Sequence, residues 1–183
     1  MTRTRWMDSL LLAGTEVPEA LRGPAYVADL KAGPVTAAGR GALPLVTDDG
    51  GRAAAGFRGD TGDCVTRAVA IVTGRPYREV YDELNAFCRQ HEHLRGHRPS
   101  AARTGIEKRT TRAYLAGLGL AWTPVMGIGT GCRVHLTPGE LPDGRLIVSV
   151  TKHITAVIDG TVHDTYDPCR DGTRCVYGYW RAP

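Results

Sequence analysis

Apolar residues recur with helical periodicity in the middle of the chain and give way to short β-branched segments towards its end. A first helix is predicted by four apolar residues at i, i+3, i+4 and i+7, namely Val65, Ala68, Val69 and Val72. Asp63 is suited to the N-cap of this helix and Gly74 to the position after its last turn. Cys64 is therefore expected at the first helical position.

Two further helices and a set of strands are predicted after this helix. The second helix runs from Pro76 to about residue 90, and the third covers residues 107–118 with Gly119 as its stop. Strands are predicted over residues 121–126, 133–137, 145–151, 154–158, 161–166 and 174–179, which are rich in β-branched or aromatic residues. This order predicts an α+β fold, with N-terminal helices packed on a C-terminal antiparallel sheet.

The Asp159-Gly160 pair predicts a type I′ turn that joins the fourth and fifth of these strands in a hairpin. The register set by a two-residue turn places His153 and Asp164 on the same face of the hairpin, as diagonal neighbours. Asp167 is the alternative carboxylate, but it falls on the opposite face unless the strand bends beside it. The hairpin thus brings a carboxylate within reach of a histidine.

The composition is that of an ordinary globular domain, with 183 residues of which 42% are hydrophobic and 23% are charged. The sequence holds no run of about 18 apolar residues and no secretory signal, so we expect no membrane partner and a cytoplasmic location. Residues 1–46 carry scattered Pro and Gly without periodicity, and we interpret them as a variable N-terminal extension that either docks or stays mobile. Residues 47–183 are expected to form the domain.

Cys64 is set apart from the other cysteines by its place at a predicted helix start. Five cysteines without an export signal do not suggest a disulfide framework, and their odd number leaves at least one thiol free. The dipole and unpaired N–H groups of a helix start lower a thiol pKa and can stabilise an oxyanion. Cys64 is therefore a candidate nucleophile; the alternative is a small residue that packs the first turn.

A cysteine nucleophile needs a base, and the base needs a third group that orients it. His153 lies at the start of a predicted strand and has Asp164 in register with it. His153 is therefore the candidate base and Asp164 the candidate orienting group. The alternative for His153 is an edge-strand histidine that hydrogen-bonds to water.

This order of a cysteine at a helix start, a histidine at a strand start and a carboxylate on the next strand resembles the papain-like cysteine peptidase fold, including its bacteriocin-leader-processing branch. Three segments are similar to a family of uncharacterised bacterial and phage-borne papain-like domains: DDGGRAAAGFRGDTGDCVTRAVAIVTG, KHITAVIDGTVHDTYDP and GTRCVYGYW. The resemblance covers about residues 47–180. It implies Cys64 as nucleophile, His153 as general base and acid, and Asp164 as the orienting group.

The chain departs from the family pattern before the cysteine. Papain-like enzymes usually take a second oxyanion donor from a Gln several residues upstream, whereas residues 58–61 here are Arg, Gly, Asp and Thr. A backbone N–H, the Thr61 hydroxyl or a residue elsewhere must fill this role.

The leading functional hypothesis is a papain-like cysteine hydrolase, a peptidase or isopeptidase, that acts on a peptide or protein without a cofactor. An acyltransferase or transglutaminase-like enzyme could use the same triad, with an amine in place of water. A third hypothesis is a non-enzymatic phage or host interaction module that uses a basic surface on this scaffold.

That basic surface lies within residues 89–112, which hold seven basic and two acidic residues. It lacks interleaved aromatic residues and any nucleic-acid motif, so we interpret it as a solvated surface and expect no nucleic-acid partner. The glycine-rich residues 127–131 lack the Lys-Ser/Thr of a P-loop and are interpreted as a loop at the rim of the cleft.

Four cysteine and histidine residues could together bind zinc, since thiolate and imidazole suit this ion: Cys132, His135, Cys169 and Cys175. Their spacings, Cys-x2-His and Cys-x5-Cys, match no common zinc finger. Buried or spare thiols are the preferred interpretation, and no metal is expected.

Overall fold

The computed structural model describes residues 35–36, 41–92 and 98–181, and these form helices packed on one sheet. The helices are α1 (Cys64–Thr73), α2 (Tyr77–Glu92) and α3 (Lys108–Gly117). The strands are β1 (Val35–Thr36), β2 (Leu45–Thr47), β3 (Ala121–Pro124), β4 (Arg145–Val150), β5 (His153–Ile158), β6 (Thr161–Asp164) and β7 (Val176–Arg181). Their order in the sheet is β1-β2-β6-β5-β4-β7-β3.

The α+β class is confirmed, but the prediction of an antiparallel sheet is wrong at one pair of strands. β2 runs parallel to β6, with Leu45 opposite Val162 and Thr47 opposite Asp164, so the sheet is mixed. The chain leaves β2, forms the helices and strands β3, β4 and β5, and returns to the side of β2 through β6, after which β7 completes the sheet. A strand of three residues after a proline carries no periodicity that could have predicted it.

The predicted strand over residues 133–137 is also wrong. In this segment one isolated bridge joins His135 to Cys175, flanked by the hydrogen bonds from the N–H groups of Leu136 and Val176 to the carbonyls of Arg174 and Val134. One backbone hydrogen bond on each side of a single bridge does not make a strand. The other predicted strands exist with shifted ends.

Part of the predicted N-terminal extension packs against the sheet. Ala42 and Leu43 are buried, and the Leu43 N–H donates to the Leu136 carbonyl at 3.2 Å. These residues therefore take the docked position that was one of the two alternatives for the extension. Residues 1–34 and 37–40 lie outside the described residues, and the boundary at residue 47 stays a prediction.

Helix α1 lies at the centre of the helical layer. The predicted apolar stripe is buried as expected. All the remaining residues from Val65 to Thr73 are buried as well, because the helix packs between α2 and strand β5. A helix that is enclosed all round is a core helix. Only its first residue, Cys64, is partly exposed, and its side chain lines the cleft described below.

The sheet carries an apolar core on each face. The side chains of Leu146, Val148 and Val150 on β4 join Leu43 and Leu136 on the face away from the helices. Ile147 points to the other face, where it packs with the helical core. Alternate side chains of a strand point to opposite faces, so β4 contributes to both cores. Because both faces of the sheet are packed, the strands that carry the candidate site are held in place.

None of the helices within residues 41–92 and 98–181 is long and apolar enough to cross a membrane.

Cys132 and Cys175 form a disulfide, which the sequence did not lead us to expect. The two residues are 43 positions apart and meet because residue 135 pairs with residue 175 across neighbouring segments. Cys64, Cys88 and Cys169 are free, so the expectation of at least one free thiol is met.

Candidate active site

The structure brings Cys64, His153 and Asp164 together where the start of α1 meets the β5–β6 hairpin. Cys64 is the first residue of α1, His153 the first of β5 and Asp164 the last of β6. The His153 Nε2 atom is 2.7 Å from Asp164 Oδ2, and Cys64 lies near enough to His153 for each to shift the pKa of the other. Because Nε2 is occupied by the carboxylate, Nδ1 is the ring atom left for the sulfur. One imidazole thus links a thiol to a carboxylate.

The hairpin has the predicted register. Asp159 and Gly160 both have positive φ, 46° and 73°, as a type I′ turn requires. Ala156 lies opposite His163, the pairing that this turn dictates. The alternative carboxylate, Asp167, accepts the N–H of Cys169 at 2.7 Å instead of contacting the histidine.

Cys64 has a lowered thiol pKa. Burial is the largest single effect and raises this pKa, but the effects of His153, the Ile154 backbone N–H and the Arg67 charge together bring it below its usual value. A thiol with a lowered pKa is present as the reactive thiolate at lower pH than an ordinary cysteine. The site therefore favours a nucleophilic sulfur.

His153 and Asp164 shift in the directions that complement this sulfur. Burial lowers the pKa of His153, but the hydrogen bonds to Asp164 and Cys64 raise it to about 9. Burial raises the pKa of Asp164, but the hydrogen bond from His153 brings it below its usual range. At neutral pH these shifts favour a thiolate, an imidazolium and a carboxylate in a row.

Arg67 is a site residue that the sequence reasoning missed. It follows Cys64 by one helical turn, and its Nη2 atom lies 3.3 Å from Asp164 Oδ1 while Nη1 binds the Asp63 carboxylate. Asp63 also accepts the Tyr77 hydroxyl at 2.6 Å. The signal was the single charged residue of a helix that otherwise holds only apolar residues and threonines, because such a residue must find a buried partner.

This network corrects the predicted role of Asp63. The helix begins after Asp63 as predicted, but the carboxylate makes no capping hydrogen bond to the helix N–H groups. It binds Arg67, Tyr77 and Arg52 instead, with Arg52 Nε at 3.0 Å. The first N–H groups of α1 are thus not capped by the residue next to Cys64.

A cleft of about 450 Å³ opens over the three residues. Apolar side chains form much of its wall: Val65, Ile106, Val150, Ile154 and Trp180. Lys108 and Lys152 are exposed at its edge, and the Tyr166 ring lies 4.9 Å from the His153 ring. The cleft therefore offers an apolar surface with the candidate nucleophile on it.

Thr61 also lines this cleft. Its hydroxyl oxygen is buried and has no hydrogen-bond partner among the described residues. Buried hydroxyls normally have a partner, and a bound substrate oxygen would supply one. The Cys64 N–H, at the helix start, is the first candidate donor, and Thr61 is the second.

The glycine-rich loop and the basic surface lie beside the cleft. Gly127 and Ile128 line a second hollow of about 310 Å³, which shares Lys108, Ser149 and Trp180 with the first. The basic residues of residues 89–112 that the structure describes are all exposed; Arg95 lies outside the described residues. This exposure agrees with a solvated surface.

A comparison with protein families, curated proteins and solved structures finds no match for this chain.

Proposed function

We propose that the protein is a papain-like cysteine hydrolase that cleaves an acyl bond of a peptide or protein in the cleft above Cys64. The observation that carries this proposal is the His153 ring, which is 2.7 Å from the Asp164 carboxylate and lines the same cleft as Cys64. A nucleophile, a base and an orienting group within hydrogen-bond reach are what covalent acyl transfer needs.

In the first half of the reaction, the Cys64 thiolate adds to the acyl carbon and the carbonyl oxygen becomes an oxyanion. The Cys64 N–H and the Thr61 hydroxyl donate hydrogen bonds to it. The His153 imidazolium gives its proton to the leaving amine, which departs and leaves a thioester on Cys64. Asp164 holds the ring in place throughout.

In the second half, His153 takes a proton from water, and the resulting hydroxide attacks the thioester carbon. The acid product leaves, and Cys64 and His153 return to the thiolate and imidazolium. An amine could replace water in this step, which would make the protein an acyltransferase. The ratio of acid to amide product in the presence of an added primary amine separates the two outcomes, because a hydrolase yields mainly the acid and a transferase mainly the amide.

Variants of the three residues test the proposal with a library of fluorogenic peptidyl-coumarin amides. Cys64→Ala should reduce coumarin release to the background rate, and His153→Ala should lower kcat by about 10²–10⁴-fold because it removes the base and acid. Asp164→Asn should lower kcat because it favours the wrong tautomer.

His163→Ala is the matched control. His163 lies on the same hairpin but pairs with Asp48 at 3.2 Å, outside the cleft lining, so its loss should leave the rate unchanged. Equal coumarin release by the wild type and Cys64→Ala would contradict the proposal and favour an interaction module.

Replacement of Thr61 by Val, which removes the hydroxyl and keeps the shape, should lower kcat by about 10²–10³-fold with little change in KM. The reason is that an oxyanion donor acts in the transition state and not on the bound substrate. Thr104→Val is the control, since Thr104 is an exposed residue of the same cleft wall. A Thr61→Val enzyme with a raised KM and an unchanged kcat would show that Thr61 only binds substrate.

A further inference from the structure

A second group of reactive side chains lies on the segments joined by the bridge at residue 135. Cys132 is exposed, and His135 and Cys175 are half-buried; their ligand atoms all lie within 4.8 Å of one another. None of the three lines the cleft over Cys64. The cluster is thus separate from the candidate active site.

The His135 ring is held so that one nitrogen faces sulfur. Its Nδ1 atom is 3.2 Å from Glu140 Oε2, and the His135 backbone N–H donates to the same oxygen at 2.7 Å. An ionised carboxylate can only accept, so Nδ1 is the donor to Glu140 and Nε2 is the ring atom left for a metal ion. That Nε2 atom lies 3.3 Å from Cys132 Sγ. A carboxylate behind a histidine in this way is the usual support of a metal-bound imidazole.

The backbone holds two of these side chains opposite each other. His135 and Cys175 are partners in an antiparallel bridge, with a hydrogen bond of 3.1 Å on one side and 2.8 Å on the other. Cys132 reaches the same point through the Cys-x2-His spacing. Cys169 does not, because its buried sulfur lies near the Leu43 carbonyl. Three of the four residues that were considered as zinc ligands are therefore brought together.

We propose that Cys132, His135 and Cys175 bind one zinc ion when the two cysteines are reduced, with the fourth position open to water. Two thiolates and an imidazole suit zinc, and three protein ligands with an open position are a common zinc arrangement. Zinc–ligand distances of about 2.1–2.3 Å place the ligand atoms about 3.5–3.8 Å apart. The Cα atoms of the two cysteines are 5.7 Å apart, so side-chain rotation alone can open the sulfurs to that spacing.

The zinc form and the disulfide exclude each other because they use the same sulfurs. Reduction by a phosphine, such as tris(2-carboxyethyl)phosphine, adds two electrons and two protons to the disulfide, while the phosphine takes oxygen from water. The two thiols then lose their protons as Zn²⁺ binds the thiolates. Metal binding is therefore expected only after reduction.

Titration of the phosphine-reduced full chain with Co²⁺ and then Zn²⁺ under anaerobic conditions tests the proposal. All arms carry Cys64→Ala, so that the thiol and imidazole of the candidate active site cannot contribute. We expect about one equivalent of Co²⁺ with a sulfur-to-cobalt charge-transfer band, displaced by Zn²⁺. Without reduction, this band should be absent. Cys169→Ser is the matched control and should bind as the parent does.

His135→Ala and Glu140→Gln are the decisive variants, because both keep the two sulfurs and the disulfide. His135→Ala should weaken binding by more than tenfold, and Glu140→Gln by about 10–100-fold through loss of the ring support. Cys132→Ser and Cys175→Ser should each weaken Co²⁺ binding and reduce the charge-transfer band, because only one thiolate remains. The absence of that band in the reduced parent would overturn the proposal, as would unchanged affinity in His135→Ala or loss of binding in Cys169→Ser.

Discussion

Iodoacetamide at pH 6 is expected to alkylate Cys64 about 10–100 times faster than an ordinary free thiol. A cysteine with the usual pKa of about 8.5 is only about 0.3% thiolate at this pH. His153 and the Ile154 N–H lower the pKa of Cys64 and so raise its thiolate fraction. Peptide mass spectrometry after short exposure measures the rate at each cysteine.

The other two free cysteines serve as internal references. Burial raises the pKa of Cys88, and burial together with the neighbouring Asp167 raises that of Cys169 to about 12. Neither should react at pH 6 in the folded protein. Equal alkylation of Cys64 and a free peptide thiol would contradict the thiolate assignment.

Removal of the imidazole should abolish this selectivity. In His153→Ala the burial of Cys64 remains without the hydrogen bond that offsets it, so we expect the alkylation rate at pH 6 to fall by about 10²-fold. His163→Ala should not change it, because that histidine pairs with Asp48 instead. A fall of equal size in both variants would point to a general loss of folding.

Hydrolysis and alkylation should separate at high pH. The pKa of His153 is raised to about 9, so its proton is held below that pH and is lost as the pH rises through it. Loss of the imidazolium removes the acid that protonates the leaving amine, and kcat/KM should fall above about pH 9. Alkylation needs only the thiolate and should stay fast there.

The parts of the site that could be predicted are those set by local chemistry. The apolar stripe of α1 begins at Val65, which indicates where the helix starts and so places Cys64 at its first position. The two-residue turn fixes the register of the hairpin, and so brings His153 to Asp164. In both cases the deciding residues lie within a few positions of the site residue.

The parts that could not be predicted depend on distant pairs. The parallel pairing of β2 with β6 joins residues more than 100 positions apart. Strand β2 has only three residues, which are too few to show a periodic pattern. The Cys132–Cys175 disulfide likewise joins distant residues, 43 positions apart. Arg67 was missed because a helical arginine is usually solvated, and only the structure shows that two carboxylates enclose it.

Arg67→Met is expected to lower the free energy of unfolding by about 3 kcal/mol, near the lower end of the range for breaking a buried ion pair. Arg67 binds both Asp63 and Asp164, whose side chains are 1% and 3% exposed, so its loss leaves charge on buried carboxylates. Asp63 keeps Tyr77 and Arg52, and Asp164 keeps His153, which limits the cost. Urea unfolding of the full chain measures the change.

Arg75→Met is the matched control for this variant. Arg75 pairs with Glu83 at a half-exposed position, and an ion pair of that kind contributes about 0–1 kcal/mol. The loss of unfolding free energy in Arg67→Lys should lie between those of Arg67→Met and Arg75→Met, because one ammonium cannot bridge two carboxylates as a guanidinium does. Equal losses in Arg67→Met and Arg75→Met would show that the buried network does not support the fold.

The same variant separates a positioning role of Arg67 from a purely structural one. The charge of Arg67 helps to lower the pKa values of both Cys64 and Asp164. Under conditions where Arg67→Met remains folded, its Cys64 alkylation profile should therefore move to higher pH, while that of Arg75→Met should not. If the profile stays in place while stability falls, Arg67 supports the fold without tuning the nucleophile.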